Sequence, residues 1–212
     1  KQSTMIANLR AAKAITPVST GGDFQYLKMT KVGEWVYGAE ETEVGANSAF
    51  VIDPNTYAQG FVAWHSGELI AEQMSLAGEK PVVLADCPEL PAGVSYDAQV
   101  AFALKGIEGS DEGVQLLYKA SSKGGKAAIS TLLEQIIERG EAGEQDLCPI
   151  VVLDTSSYKH KKYGKIYTPV MTVDEWTDLP DGDSEPVAEP VAALAEPVVE
   201  PAAKPTRKRA RA

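Results

Sequence analysis

Histidine and cysteine are scarce in this chain of 212 residues, which contains two of each. The histidines form neither an HxH spacing nor a cluster with a cysteine, so the ligand patterns typical of zinc sites are absent. Cys87 and Cys148 are far apart, and we interpret them as two thiols in a reducing cytosol, with a disulfide as the alternative.

No apolar run approaches the roughly 20 residues of a membrane-spanning helix. The first residues also lack the apolar core of a secretory signal. We therefore predict a cytoplasmic protein with no metal, no cofactor and no membrane partner.

Basic residues are outnumbered, with 20 Lys and Arg against 30 Asp and Glu, which gives a formal net charge of -10. This balance argues against non-specific binding of duplex DNA by the whole surface. A local basic surface can still bind phosphate, because screening limits each charge to a range of about 10 Å at 0.1 M salt.

Catalytic motifs are also missing. The glycines at 106, 109 and 113 have neither the spacing of a phosphate-binding loop nor its Lys-Ser/Thr pair. The paired acids Glu40-Glu41 and Asp111-Glu112 lie in turn-like contexts, where we expect solvated carboxylates. We predict that the chain is not an enzyme.

Alternating hydrophobicity and turn signals predict a mainly β (α+β) fold with one helix. The predicted strands cover residues 24–30, 35–37, 49–52, 60–64, 68–74, 100–107, 114–120, 149–153 and 165–176. The helix is predicted at residues 126–139, because five apolar residues there form one stripe: Ile129, Leu132, Leu133, Ile136 and Ile137. Pro169 predicts that the last strand lies at an edge or carries a bulge. An OB-like small barrel, a curved antiparallel sheet and two small packed sheets are all compatible with this pattern.

Composition divides the chain into three parts. Residues 1–22 are predicted to be a flexible lead-in, and residues 23–177 a β-rich globular domain, with a potential lobe boundary near residues 77–93. Residues 178–212 form a Pro/Ala/Glu-rich segment without aromatic residues that ends in a basic tip. We predict a disordered tether there, because such a composition buries too little apolar surface to fold.

The most informative stretch is residues 156–169, which hold four lysines, one histidine and three tyrosines, and no acid. Lysines neutralise phosphates, and tyrosine rings offer faces on which unpaired bases stack. A lysine-rich hairpin turn at a sheet edge has a similar sequence, because lysines deter edge-to-edge pairing.

Residues 118–126 resemble this stretch in composition and add two glycines before the predicted helix. Glycines let the backbone approach an anion, and the start of a helix carries a partial positive charge. A helix entry with solvated lysines is the alternative. If the fold brings the two segments together, the predicted nucleic-acid-binding residues are Tyr118, Lys119, Lys123, Lys126, Tyr158, Lys159, Lys161, Lys162, Tyr163, Lys165 and Tyr167. Phe24, Tyr26, Lys28, Trp35 and Tyr37 would extend that face or fill the core, and we favour the core for these five.

The sequence from about Phe24 to Trp176 resembles small proteins encoded by tailed bacteriophages, most recognisably at residues 118–126 (YKASSKGGK) and 157–165 (SYKHKKYGK). More distantly, the order of strands, helix and further strands is similar to phage single-stranded DNA-binding proteins with an OB-type barrel. The resemblance implies single-stranded DNA, or RNA, as the ligand, a role in phage DNA replication or recombination, replication or recombination proteins as partners, and the host bacterial cytoplasm as location. The alternative is a phage structural or host-interaction module whose tether at residues 178–212 engages a partner.

Overall fold

A computed structural model describes residues 24–178. This part of the chain forms ten strands and one α-helix, with short 3₁₀ turns at Pro54–Thr56, Leu84–Asp86 and Gly109–Asp111. The elements are β1 (Gln25–Met29), β2 (Trp35–Tyr37), β3 (Thr42–Glu43), β4 (Ala49–Ile52), β5 (Ala58–His65), β6 (Glu68–Leu76), β7 (Asp97–Glu108), β8 (Gln115–Ala120), α1 (Lys123–Glu141), β9 (Cys148–His160) and β10 (Gly164–Thr177). The predicted lead-in at 1–22 and almost all of the predicted tether at 178–212 lie outside the described residues.

One open, curved sheet contains all ten strands. Eight of them follow the order β10-β9-β4-β7-β8-β1-β2-β3, and β5 and β6 branch from β7. The long strand β7 has two neighbours along one edge, since its first half pairs with β5 and its second half with β4. The other edge of β5 pairs with β6. The mainly β prediction is confirmed. The sheet is nevertheless mixed rather than wholly antiparallel, because β1 runs parallel to β8. The strands before and after residues 77–93 belong to this same sheet.

The helix α1 packs on the sheet through the predicted stripe, and all five of its residues are buried. They belong to the same hydrophobic core as large side chains of the sheet, among them Phe50, Phe102 and Leu116. The helix begins at Lys123, three residues before the predicted start, because the Ser122 side chain accepts a hydrogen bond from the Gly125 N–H and caps it there. At the other end, Arg139 binds the Asp146 carboxylate and lies 4.9 Å from the Trp176 ring centre. No helix among residues 24–178 is long and apolar enough to cross a membrane.

Strands from the two ends of the sheet meet because the sheet is strongly curved. Trp35 of β2 donates its Nε1–H to the Asp154 carbonyl of β9 at 2.9 Å. Thr155 donates its hydroxyl to the Gly33 carbonyl at 2.7 Å. Gly33 has φ +90°, and a Cβ there would collide with the Tyr167 ring, so this turn requires glycine. The turn between β1 and β2 thus holds the β9–β10 hairpin.

The β9–β10 hairpin is much longer than predicted. The sequence predicted strands at 149–153 and 165–176, whereas pairing continues to His160 opposite Gly164. Beyond Thr155 the side chains of β9 are mostly exposed, so this distal part extends past the core. Pro169 lies on β10, whose other edge pairs with no strand among residues 24–178, in agreement with the predicted edge position.

The prediction that the Asp111 carboxylate is solvated is wrong. Its side chain is only 3% exposed. It accepts hydrogen bonds from the Tyr37 hydroxyl at 2.9 Å, the Gly45 N–H at 2.8 Å and the Ser48 hydroxyl at 2.6 Å. These donors come from parts of the chain more than 60 residues away, so they give no local signal in the sequence.

Candidate functional site

A cleft of about 410 Å³ opens where the parallel strands β1 and β8 end. Three parts of the chain form its walls: Lys28 and Met29 of β1, residues 118–124 from β8 into α1, and the hairpin residues Tyr158 and 166–169. The two segments that the sequence singled out therefore border the same cleft. Parallel pairing brings the end of β1 beside the end of β8 and the start of α1, and the turn between β1 and β2 holds the hairpin next to them.

The start of α1 forms one wall of the cleft. Gly124 approaches the hairpin so closely that a Cβ there would lie 3.1 Å from the Thr168 methyl group. The first N–H groups of a helix have no acceptor within the helix and carry a partial positive charge. Lys123, an exposed residue in the first turn, adds a full charge. This wall is suited to an anionic group such as a phosphate.

Lys119 and Tyr118 border the cleft but have partners inside the protein. The Lys119 ammonium lies 2.9 and 2.8 Å from the two Glu72 carboxylate oxygens, and both side chains are only 14% exposed. Tyr118 is 5% exposed and packs edge-on against Trp35, and burial raises its pKa to about 12. Tyr118 thus has no exposed face for a base, and the charge of Lys119 is already neutralised.

Lys126 also differs from the prediction in its placement. Its ammonium donates to the Ala98 carbonyl at 3.1 Å, and the residue is not among those that line the cleft. Lys28, which the sequence favoured as a core residue, lines the cleft instead and forms an ion pair with Glu41 at 2.9 Å. The core interpretation is correct for Trp35 and Tyr37, both of which are buried.

Lys119→Gln separates a structural role from a DNA-binding role. The substitution leaves the nearly buried Glu72 carboxylate without its ion-pair partner, which we expect to lower the free energy of unfolding by about 2 kcal/mol. Urea denaturation measures this loss. The affinity for single-stranded DNA should change less than twofold, whereas the exposed control Lys159→Gln should show the reverse pattern. A loss of DNA affinity in Lys119→Gln without a loss of stability would contradict this assignment.

The distal hairpin carries the other predicted lysines at exposed positions. Lys159 and Lys165 lie directly opposite each other on β9 and β10, and Lys161 and Lys162 form the connecting turn. No acid occurs between Asp154 and Asp174 to neutralise them. Like charges directly opposite each other destabilise a strand pair. An arrangement that costs stability in the free protein is consistent with a surface that binds an anion.

The hairpin tyrosines differ in how much ring surface they leave open. Tyr163 stacks on His160 with ring centres 4.8 Å apart, and Lys162 lies 5.1 Å from the Tyr163 ring centre. Tyr167 is half-buried, with the Lys165 ammonium 4.5 Å from its ring centre. Tyr158 is 52% exposed and borders the cleft. Tyr158 is therefore best placed to stack on a base within the cleft.

Within residues 24–178, no three His, Cys, Asp or Glu side chains are grouped so that they could hold a metal ion. Both cysteines are free thiols, with Cys148 buried and Cys87 half-buried. The chain matches no protein-family model, no curated protein and no solved structure.

Proposed function

We propose that this chain is a non-catalytic single-stranded DNA-binding protein that acts where replication or recombination exposes single strands, in phage DNA metabolism as the resemblance implies. The observation that carries this proposal is the cleft between the start of α1 and the β9–β10 hairpin. There, the first turn of a helix, the lysine at 123 and the exposed ring of Tyr158 border one opening.

Each wall of the cleft matches one part of a nucleotide. A phosphate is stabilised at the start of α1 by the helix N–H groups and by Lys123. The ring of Tyr158 stacks on an unpaired base, which a duplex would keep inside its own stack. The phosphates that follow lie along the hairpin lysines, Lys159, Lys161, Lys162 and Lys165.

The net charge of -10 favours this local mode of binding. Acidic surfaces elsewhere repel the regular phosphate array of a duplex, whereas a bendable single strand can follow one basic hairpin. A curved sheet that carries a single strand on aromatic and basic side chains is the arrangement of OB-type proteins, and we propose that this sheet serves in the same way.

Fluorescence anisotropy of a labelled dT oligonucleotide of about 30 nucleotides, beside the matching duplex, tests the proposal. We expect binding to the single strand that weakens as salt rises, with a log-log slope of about -0.7 for each phosphate neutralised. Equal binding of both forms would contradict a single-strand preference. No binding at low salt would overturn the proposal and favour the interaction module with a working tether.

Tyr158→Ala should weaken binding without unfolding the protein, because the side chain is half exposed. Loss of one stacked base costs about 1–3 kcal/mol, which raises Kd roughly 5- to 150-fold. Anisotropy titration measures the change. Tyr158→Phe keeps the ring and should bind almost as well as the original chain. Equal affinities of the alanine and phenylalanine variants would rule out stacking at this position.

A further inference from the structure

A second groove, of about 310 Å³, lies between strand β6 and the loop that leads to β7. Its walls are residues 70–73 of β6 and residues 88–91 of the loop. Side chains alternate between the faces of a strand. Four consecutive β6 residues line the groove, so it follows the edge of the strand rather than one face. Among residues 24–178, β6 pairs only with β5, which leaves this edge open.

The loop wall of the groove is held in place by two contacts. The Tyr96 hydroxyl donates to the Pro88 carbonyl at 3.0 Å. The Tyr96 ring lies edge-on against Phe61 of β5, with ring centres 6.3 Å apart. The lining of the groove is largely apolar, since it contains Ile70, which is 39% exposed, together with Ala71, Pro88, Leu90 and Pro91. Such a surface is typical of a docking site for a chain segment.

The charge around this groove specifies the kind of segment that fits. Residues 66–98 contain six carboxylates and one lysine. Of the six, Glu72 is neutralised by Lys119. The other five are exposed: Glu68, Glu79, Asp86, Glu89 and Asp97. A groove with open strand edge, apolar walls and acidic surroundings is complementary to a basic segment that has little structure of its own.

We propose that residues 204–211 of the same molecule bind in this groove. This segment contains five Lys and Arg residues and no acid. It is thus the most strongly basic segment outside the described residues, and its charge is opposite to that of the groove.

The chain between the end of β10 and residue 204 is long enough for the basic segment to reach the groove. The last strand, β10, ends at Thr177, opposite Cys148. The register of β4 on β9 brings the end of β4 to the same border of the sheet, and β5 starts there after one 3₁₀ turn. The start of β5 pairs with the end of β6. The 26 residues from 178 to 203 can span about 85 Å when extended, which is ample for a groove along β6.

Binding of residues 204–211 to this groove would give the basic segment a site of its own on the protein. The lysines and arginines of the segment would neutralise the acidic border of the sheet. While bound there, they would be less available to any nucleic acid. This inference does not rest on the proposed DNA-binding function, because it uses neither the cleft nor the hairpin.

Paramagnetic relaxation enhancement in the full-length chain tests the proposal. A nitroxide is attached to Ala210→Cys in a Cys87→Ser background, in which the remaining cysteine, Cys148, is buried. We expect the amide signals of residues 70–73 and of Glu89 and Leu90 to be broadened several-fold more than those of β3, and the effect to disappear in 0.5 M salt. A mixture of spin-labelled, unenriched chain with isotope-enriched, unlabelled chain should show no broadening.

Charge variants provide the matched comparison. The triple variant Glu68→Gln, Asp86→Asn, Glu89→Gln should lose most of the broadening at the groove. The control Glu40→Gln, Glu43→Gln, Glu112→Gln removes the same charge from exposed positions elsewhere and should keep it. Absence of broadening at the groove, its persistence in the groove variant, or its appearance in the mixed sample would each overturn the proposal, the last by assigning the contact to a second copy.

Discussion

The triple variant Lys159→Gln, Lys161→Gln, Lys162→Gln should bind single-stranded DNA on the order of 100-fold more weakly at 0.1 M salt. Each phosphate contact contributes about 0.7 to the slope of log K against log salt, so loss of three contacts makes the slope shallower by about 2. Extrapolated from 1 M to 0.1 M salt, that difference amounts to about two powers of ten. The measurement is the anisotropy titration at four or more salt concentrations.

The affinity of this variant should approach that of the original chain at 1 M salt, since the missing contribution is counterion release. The three lysines are exposed on the distal hairpin, so thermal unfolding should change little or shift upward as repulsion falls. The control variant Lys80→Gln, Lys105→Gln removes two positive charges that lie outside the hairpin. It should leave the slope of log K against log salt nearly unchanged. An unchanged slope in the triple variant would exclude the hairpin as the DNA-binding surface.

Local patterns predicted the elements whose determinants lie close together in the sequence. The apolar stripe of α1 places five side chains on one face of a helix without reference to the rest of the chain, and all five are buried. The hairpin between β5 and β6 follows in the same way from Ser66-Gly67, where Ser66 has φ +53° and Gly67 φ +83°. The strands predicted at residues 100–107 and 114–120 are likewise adjacent along the chain, and they pair with each other as β7 and β8.

Pairings between distant segments could not be predicted. The parallel contact of Leu27 with Tyr118 joins residues about 90 positions apart, and it is this contact that places Lys28 beside the start of α1. The sequence likewise gave no sign that Glu72 would neutralise Lys119, because the ion pair depends on how the sheet curves between β6 and β8. Whether a lysine is available to a ligand is therefore a property of the fold.

The length of the β9–β10 hairpin could not be predicted for a different reason. The predicted strands stop at residue 153 and resume at residue 165, and the polar, lysine-rich segment between them has a low strand propensity. The structure continues both strands through it, because each β9 residue finds a partner on β10 as far as His160. A strand that extends beyond the core has no hydrophobic alternation, which is the signal that sequence analysis depends on.

Asp111→Asn should lower the free energy of unfolding by about 2–4 kcal/mol, because hydrogen bonds to a charged acceptor contribute more than neutral ones. The carboxylate accepts from Tyr37, Gly45 and Ser48, and it thereby ties β2 to the loop before β4. An asparagine places an N–H₂ group where one of these donors points, so at least one hydrogen bond is lost inside the protein. Urea denaturation at pH 7 measures the difference, and Asp97→Asn, at an exposed position, is the matched control.

The pH dependence of this difference identifies its cause. Burial alone would raise the pKa of Asp111, but the hydrogen bonds from Ser48, Gly45 and Tyr37 outweigh it and hold the pKa below the ordinary value of 3.8. A carboxyl whose pKa is lower in the folded state stabilises the fold fully above its ordinary pKa, and this contribution is lost as the pH falls through the folded value. The stability of the original chain should therefore approach that of Asp111→Asn below pH 3.8. Asp146, whose pKa is also lowered by its hydrogen bond with Arg139, titrates in both proteins and cancels in the comparison. A difference that stays constant to pH 2 would mean that the substitution acts through packing rather than through the charge of Asp111.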